Sequence, residues 1–338
     1  MKTKTGVLLI NIGTPKDCDI RSVKTYLREF LSDPRVIDLP NIIRWLLVNL
    51  IIVPRRAPKS LKAYKKIWQP CGSPLEIYSD KLKQSLQQSM QDEFIVEIAM
   101  RYGKNSIQKA LQRLSECGKL IVIPLFPQYS SAATESAIEA MFAALEKKWR
   151  SSDVKVITSF YDHPDFVSAY TEVIRKNLPK TPIDMLLFSY HGLPVRHIEK
   201  TGCGANCNKV NVCPKVSKEN LNCYRAQCYA TSEALAQRLG LSLKKYLTTF
   251  QSRLGGTKWI EPYTDKILND LKAQGVKNIA IVCPAFVTDC LETLEEIGIR
   301  LRKKWEDLGG EEFTLIPCLN INPRWIKTLK NIVLEQNC

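Results

Sequence analysis

Short apolar runs bounded by turn residues alternate along the chain with longer stretches of helical periodicity. In the first half the runs are Gly6 to Ile12, Ile95 to Met100, Leu120 to Leu125 and Val154 to Thr158. In the second they are Met185 to Tyr190, Tyr246 to Phe250, Ile279 to Cys283 and Phe313 to Pro317, with helical patterns such as Thr231 to Leu239 between them. Continuous rather than alternating apolarity is what strands buried on both faces require, so the order predicts parallel βαβ layers. The halves also echo each other. LLINIGTP ending at Pro15 matches LLFSYHGLP ending at Pro194, and IVIPLFPQYS from Ile121 matches IVCPAFVTD from Ile281. The fold expected is a duplicated α/β domain, its two sheets facing across a cleft. Loops after the strand C-termini would line that cleft: Gly13, Arg101, Gln128 and Tyr129 from one side, His191, Gln251 to Arg253 and Thr288 to Glu296 from the other.

The run Leu39 to Pro54 breaks the scheme. It is shorter than the roughly 18 to 20 residues that span a bilayer, contains Arg44 and Asn49, and is followed by Arg55, Arg56 and Lys59. It reads either as a greasy lip that touches a lipid interface or covers an apolar ligand, or as a plain buried helix. The N-terminal MKTKTGVLLINIGTP has no small-residue cleavage site and reads as a first buried strand, which implies a cytoplasmic protein. The twelve cysteines are then thiols or metal ligands rather than a disulfide framework.

With 338 residues, 49 Lys plus Arg against 34 Asp plus Glu, and a net charge of +15, two domains with an affinity for acidic partners are expected. No nucleic-acid motif is present and the lysines are spread through helical patterns. A carboxylated small molecule, an anionic membrane surface or a merely solvated basic surface remain.

Chemistry concentrates between Met185 and Cys228. An apolar strand delivers His191, one of three histidines, into a Gly192-Leu193-Pro194 turn, and five cysteines follow. A strand-end imidazole is either a base or metal ligand, or a satisfied turn histidine. Farther on, helical spacing sets Asp289, Glu292 and Glu296 on one face, as an acidic site or as a helix cap.

SYHGLP at Ser189, FQSRLG at Phe250, KWIEPYTD at Lys258 and CPAFVTDCLETLEE at Cys283 together resemble ferrochelatase. The resemblance continues through NIGTP at Asn11, FLSDPRVIDLP at Phe30, RRAPK at Arg55, GSPL at Gly72, MRYG at Met100 and PLFPQYS at Pro124. It implies two Rossmann-like domains, spanning 1–160 with the lip at 39–59 and 161–318, with a C-terminal helix at 319–338 packing back on the first. It also implies insertion of Fe2+, a substrate, into a free-base porphyrin with loss of two protons, the last step of heme synthesis. His191 would be the proton acceptor or metal contact, Glu292 the facing carboxylate, and Glu296 and Asp289 an acidic route for iron or protons. Ile12, Tyr64, Arg101, Tyr129 and Trp259 match positions around the macrocycle, and Arg56 and Ser73 match positions near its propionates. A chelatase for another divalent metal on the same fold is the neighbouring alternative. An iron-sulfur ligand-binding or redox protein is the distant one.

The segment 201–223 departs from a minimal member of that family. Its Cys203, Cys207, Cys213 and Cys223 are separated by three, five and nine residues, unlike the paired two-residue spacing of zinc ribbons. Some bacterial ferrochelatases are similar in carrying an internal cluster there, so a [2Fe-2S] centre is expected, with zinc or free thiols as alternatives. Cys228 is a fifth candidate. Cys290 stands where some relatives have histidine and reads as structural.

Overall fold

The computed structural model describes residues 4–145, 149–150, 153–203, 213 and 215–337. All eight expected strands are present. They are β1 (Thr5–Thr14), β2 (Phe94–Gly103), β3 (Lys119–Pro124), β4 (Val154–Val156), β5 (Met185–His191), β6 (Tyr246–Gln251), β7 (Asn278–Val282) and β8 (Glu312–Leu315). They form two four-stranded sheets, ordered β2-β1-β3-β4 and β6-β5-β7-β8, with every pair parallel. In each sheet the first strand in sequence lies inside, which is why β1 and β5 are almost continuously apolar.

The echoed glycines follow from this topology. At Gly13, where φ is +107°, a Cβ would lie 2.0 Å from the Tyr102 carbonyl oxygen. At Gly192 it would lie 2.8 Å from that of Gln251. In both sheets the chain leaves the inner strand so close to its neighbour's backbone that only glycine fits.

Residues Met1–Phe126, Ser131–Ser159 and Pro323–Cys338 form one compact unit, and Pro127–Ser130 with Phe160–Asn322 form another. In the first, Leu8, Ile10, Leu120 and Val122 pack against Ala110, Leu111, Ala137 and Met141. The helix α12 (Pro323–Asn337) belongs to this unit, and Lys330 Nζ donates to the carbonyl of Ser89 at 2.7 Å. In the second, Leu187, Ile279 and Ile281 meet Leu268, Leu271, Ile297 and Trp305. Each fully buried Leu, Ile, Val or Met side chain among these stabilises its unit by about 1.5–3 kcal/mol. Gln128 and Tyr129, expected on the first side, pack with the second unit. Gln128 Nε2 donates to Thr231 Oγ1 at 3.0 Å, and the Tyr129 N–H donates to Gln227 Oε1 at 2.6 Å.

The segment after Leu39 is helical: α2 (Asn41–Leu46), a π-helical stretch Leu47–Ile52, and α3 (Val53–Ile67). Its polarity is inverted. Arg44 is 8% exposed and donates to the carbonyl of Leu39 at 2.6 Å and to Asn41 Oδ1 at 2.5 Å, whereas Ile42 is 77% and Leu50 63% exposed, alongside exposed Ile43, Trp45 and Leu46. The buried-helix reading therefore does not hold for this face.

Candidate active site

His191 is the last residue of β5 and is partly exposed. Its Nδ1 lies 2.6 Å from the carbonyl oxygen of Gly192. A carbonyl only accepts, so the neutral ring carries its proton on Nδ1 and leaves the lone pair on Nε2, the form that takes a proton or a metal ion. Phe286 stands beside the ring, centroids 6.3 Å apart and planes inclined by 61°. Trp259, buried, bridges to Pro194 and anchors its indole N–H on the Leu254 carbonyl at 2.8 Å.

Four acidic residues, Asp289, Glu292, Glu295 and Glu296, follow β7; buried Glu295 pairs with Arg300 at 2.7 Å, and the other three differ in exposure and partners. Glu292 opens a π-helical stretch, Glu292–Leu301, and is partly exposed. Glu296 accepts from the Ser252 N–H at 2.9 Å and the Ser252 hydroxyl at 2.7 Å, so it is tied to the loop after β6. Asp289 is buried and turned inward, accepting from Thr293 Oγ1 at 3.0 Å, Asn320 Nδ2 at 2.7 Å and the Cys318 N–H at 3.3 Å. Helical spacing alone groups it with Glu292 and Glu296, but Asp289 precedes the helical stretch and its carboxylate is spent on these partners. Burial pushes the thiols of Cys283, Cys290 and Cys318 well up, so they stay protonated and neutral beside these carboxylates.

Gln251 joins the histidine to the acidic helix. It pairs with His191 across β5 and β6, its carbonyl accepts from the Gly192 N–H at 2.7 Å, and its Nε2 donates to the Glu292 carbonyl at 3.3 Å. The hydroxyl of Ser189 holds its Oε1 at 2.6 Å.

In the first unit, Ile12 is partly exposed near the end of β1. Ser73, buried, accepts from Thr14 Oγ1 at 2.9 Å. Arg101 is committed within this unit, donating to Asp33 Oδ2 at 2.7 Å and to Ser136 Oγ at 2.7 Å. Tyr64 is buried edge-on to Trp68, and partly exposed Arg56 shares helix α3 with it. Tyr129 is buried in the second unit.

Of the cysteine set, Cys207 and the side chain of Cys203 lie outside what the structure describes. Cys213 is partly exposed; Cys223 is fully buried at the N-cap of α9 (Tyr224–Leu239) without a side-chain cap bond. Cys228, also buried, has its thiol pushed up by burial, offset in part by a hydrogen bond with Tyr224, and raised further by neighbouring Cys223 and Cys213. Among the described residues, no three His, Cys, Asp or Glu side chains stand in metal-holding geometry.

Gln251 and Ser252 are legible in the sequence only as cleft lining, and Asn320 and Tyr224 stand in no motif. A loop asparagine that can adopt the left-handed conformation, and a tyrosine opening a helix next to a cysteine, are the faint signals available.

The sequence model of the ferrochelatase family matches residues 4–337. A ferrochelatase of Legionella pneumophila is 50% identical over 333 residues, covering 98% of this chain and 99% of the relative. One from Coxiella burnetii is 50% identical over 329 residues, covering 96% and 92%. Among solved structures, SirB from Bacillus subtilis with Fe3+ superposes with a TM-score of 0.54 at 10% identity over 98% of this chain and 95% of its own, a likeness of fold alone. On the family model and the near-full-length relatives, the chain belongs to the ferrochelatase family.

Proposed function

We infer that this protein inserts Fe2+ into a free-base porphyrin, releasing the two pyrrole N–H protons, as the terminal step of heme biosynthesis. The observation that carries the reading is the strand-end His191, whose Nδ1 is engaged by Gly192 and whose Nε2 is thereby available. Gln251 links its strand to the start of the acidic helix. Metal insertion needs a group that accepts pyrrole protons and a carboxylate path for an incoming cation or outgoing proton. His191 takes the first role or contacts iron directly; Glu292 faces it, and Glu296, steadied by Ser252, extends the path. Asp289, committed to Thr293, Asn320 and Cys318, contributes by holding the turn before Glu292. By the family resemblance, Ile12, Tyr64, Arg101, Tyr129 and Trp259 contact the macrocycle and Arg56 and Ser73 its propionates. Arg101, fixed by Asp33 and Ser136, brings a stationary positive charge. Anaerobic incubation with free-base porphyrin and, separately, Fe2+, Co2+ or Ni2+ tests the reading. Iron is expected to support turnover, and turnover with cobalt or nickel alone would favour the neighbouring chelatase.

A [2Fe-2S] centre held by Cys203, Cys207, Cys213 and Cys223 is the further assignment. Its support is the gathering of Cys213 and Cys223 around buried Cys228, with Cys223 at the start of a 16-residue helix whose positive end suits anionic thiolate ligands. When bound, such a centre supplies a one-electron couple and a cross-link between the inserted segment and α9.

Peripheral membrane contact through the lip and a cytoplasmic location complete the reading. Exposed Ile42, Trp45 and Leu50 are followed on α3 by exposed Arg55, Lys59 and Lys62, an apolar face beside cations that suits an anionic lipid surface. Among the described residues no helix is long and apolar enough to cross a membrane.

A further inference from the structure

The peptide group joining His191 to Gly192 is held at both ends. Its N–H donates to the carbonyl of Gln251 at 2.7 Å, and its carbonyl accepts from the hydroxyl of Tyr224 at 2.8 Å. Because the peptide is planar, two opposed hydrogen bonds fix its rotation, and with it the ψ of His191. The next carbonyl, that of Gly192, is the one that engages Nδ1 of the imidazole. The ring is therefore oriented from its own backbone, and one of the two grips comes from a side chain at the first residue of α9.

That first turn is anchored independently of the histidine. Cys223 is its N-cap; the Cys223 N–H donates to the Asn220 carbonyl at 2.8 Å, and the Cys223 carbonyl accepts from the Gln227 N–H at 3.0 Å. Gln227 Nε2 donates to the Leu221 carbonyl at 2.6 Å. Asn220 in turn folds the preceding residues, accepting from the Ser217 N–H at 2.6 Å and donating to the Lys215 carbonyl at 3.1 Å. One peptide bond thus separates a buried thiol from the tyrosine that grips the catalytic strand end.

We propose that Tyr224 is a positioning residue for His191, and that through it the orientation of the imidazole depends on how the thiols at the start of α9 are tied down. The second half rests on the reading of Cys213 and Cys223 as iron-sulfur ligands; the first does not. Loss of the ligand at Cys213 loosens the turn at Asn220 and Cys223, the phenol withdraws, and the peptide at His191 is left with one grip.

The test uses full-length protein purified anaerobically and the variants Tyr224→Phe, Cys213→Ser and the double. The chain's three histidines allow ethoxyformylation by diethyl pyrocarbonate to be followed residue by residue by mass spectrometry, with His163 as the internal reference. For Tyr224→Phe we expect a changed rate at His191 alone, kcat lower by about 10-fold, and porphyrin KM within two-fold of wild type. If both the His191 rate and kcat match wild type, the positioning role is overturned. Where the wild-type protein contains iron and acid-labile sulfide, Cys213→Ser is expected to reproduce the change, and the double variant to add nothing. A cluster present in wild type and lost in Cys213→Ser with no change at His191 overturns the coupling. Wild-type protein without iron and sulfide overturns the cluster reading and the coupling that depends on it, while Tyr224→Phe still decides the positioning role.

Discussion

Asp289 and Asn320 hold each other through two hydrogen bonds: Asn320 Nδ2 donates to Asp289 Oδ2 at 2.7 Å, and the Asp289 N–H donates to Asn320 Oδ1 at 2.9 Å. Asn320 does so from a left-handed conformation, φ +47°, pinned by its own N–H on the Val287 carbonyl at 2.8 Å. This exchange, with Thr293 and the Cys318 N–H, commits the buried Asp289 carboxylate to the turn before the acidic helix, whereas Glu292 and Glu296 stay partly exposed. Asn320→Ala leaves a buried carboxylate short of a donor and is expected to cost about 2 kcal/mol, read as a lower urea midpoint. It is also expected to reduce kcat more than it raises porphyrin KM.

Asp33 in the first unit gives a pH signature. Burial pushes its carboxyl up, but hydrogen bonds from Ser136, the Arg35 N–H and Tyr102, with the charge of Arg101, outweigh this and hold it below the ordinary value. A group with a depressed folded pKa stabilises above its unfolded pKa, about 3.9, and loses that contribution as pH falls through the folded value. Acid titration is therefore expected to unfold the wild type more steeply below about pH 4 than Asp33→Asn. Asp33→Ala, which removes the buried acceptor shared by Arg101, Tyr102 and Ser136, is expected to cost about 3 kcal/mol at neutral pH.

The lip is expected to hold the protein on anionic vesicles at low salt. Replacing both Trp45 and Leu50 by Ser should abolish flotation with little change in thermal midpoint, because both side chains are exposed. Flotation unchanged in that variant would exclude this face as the lipid contact.

Much of this was legible in the sequence, and the reasons are local. The strands announce themselves because parallel sheets bury both faces, and the NIGTP and YHGLP echoes mark two glycines forced by neighbouring backbones. His191 is readable because a strand end followed by such a turn fixes where the side chain lies. The lip was not decided, since composition cannot tell that Arg44 finds carbonyl partners inside while Ile42 and Trp45 face out. Helical spacing also grouped Asp289 with Glu292 and Glu296. The partner that occupies Asp289, Asn320, lies 31 residues away and carries no local pattern.

For the cysteine-rich segment, purified protein is expected to be reddish brown and to hold about two irons per chain with acid-labile sulfide. Cys213→Ser should lose both. Colourless protein with one zinc would exclude the cluster and leave the chelatase reading intact.

The most direct measurement is an anaerobic single turnover of wild type and His191→Ala with Fe2+ and free-base porphyrin, recording the metalloporphyrin spectrum and proton release together. The wild type is expected to convert the free-base bands to those of heme with two protons released per iron inserted. His191→Ala, folded and still quenching porphyrin fluorescence on binding, is expected to do neither. Wild-type protein that binds porphyrin without metalating it, or a His191→Ala variant turning over within a few-fold of wild type, would contradict the account.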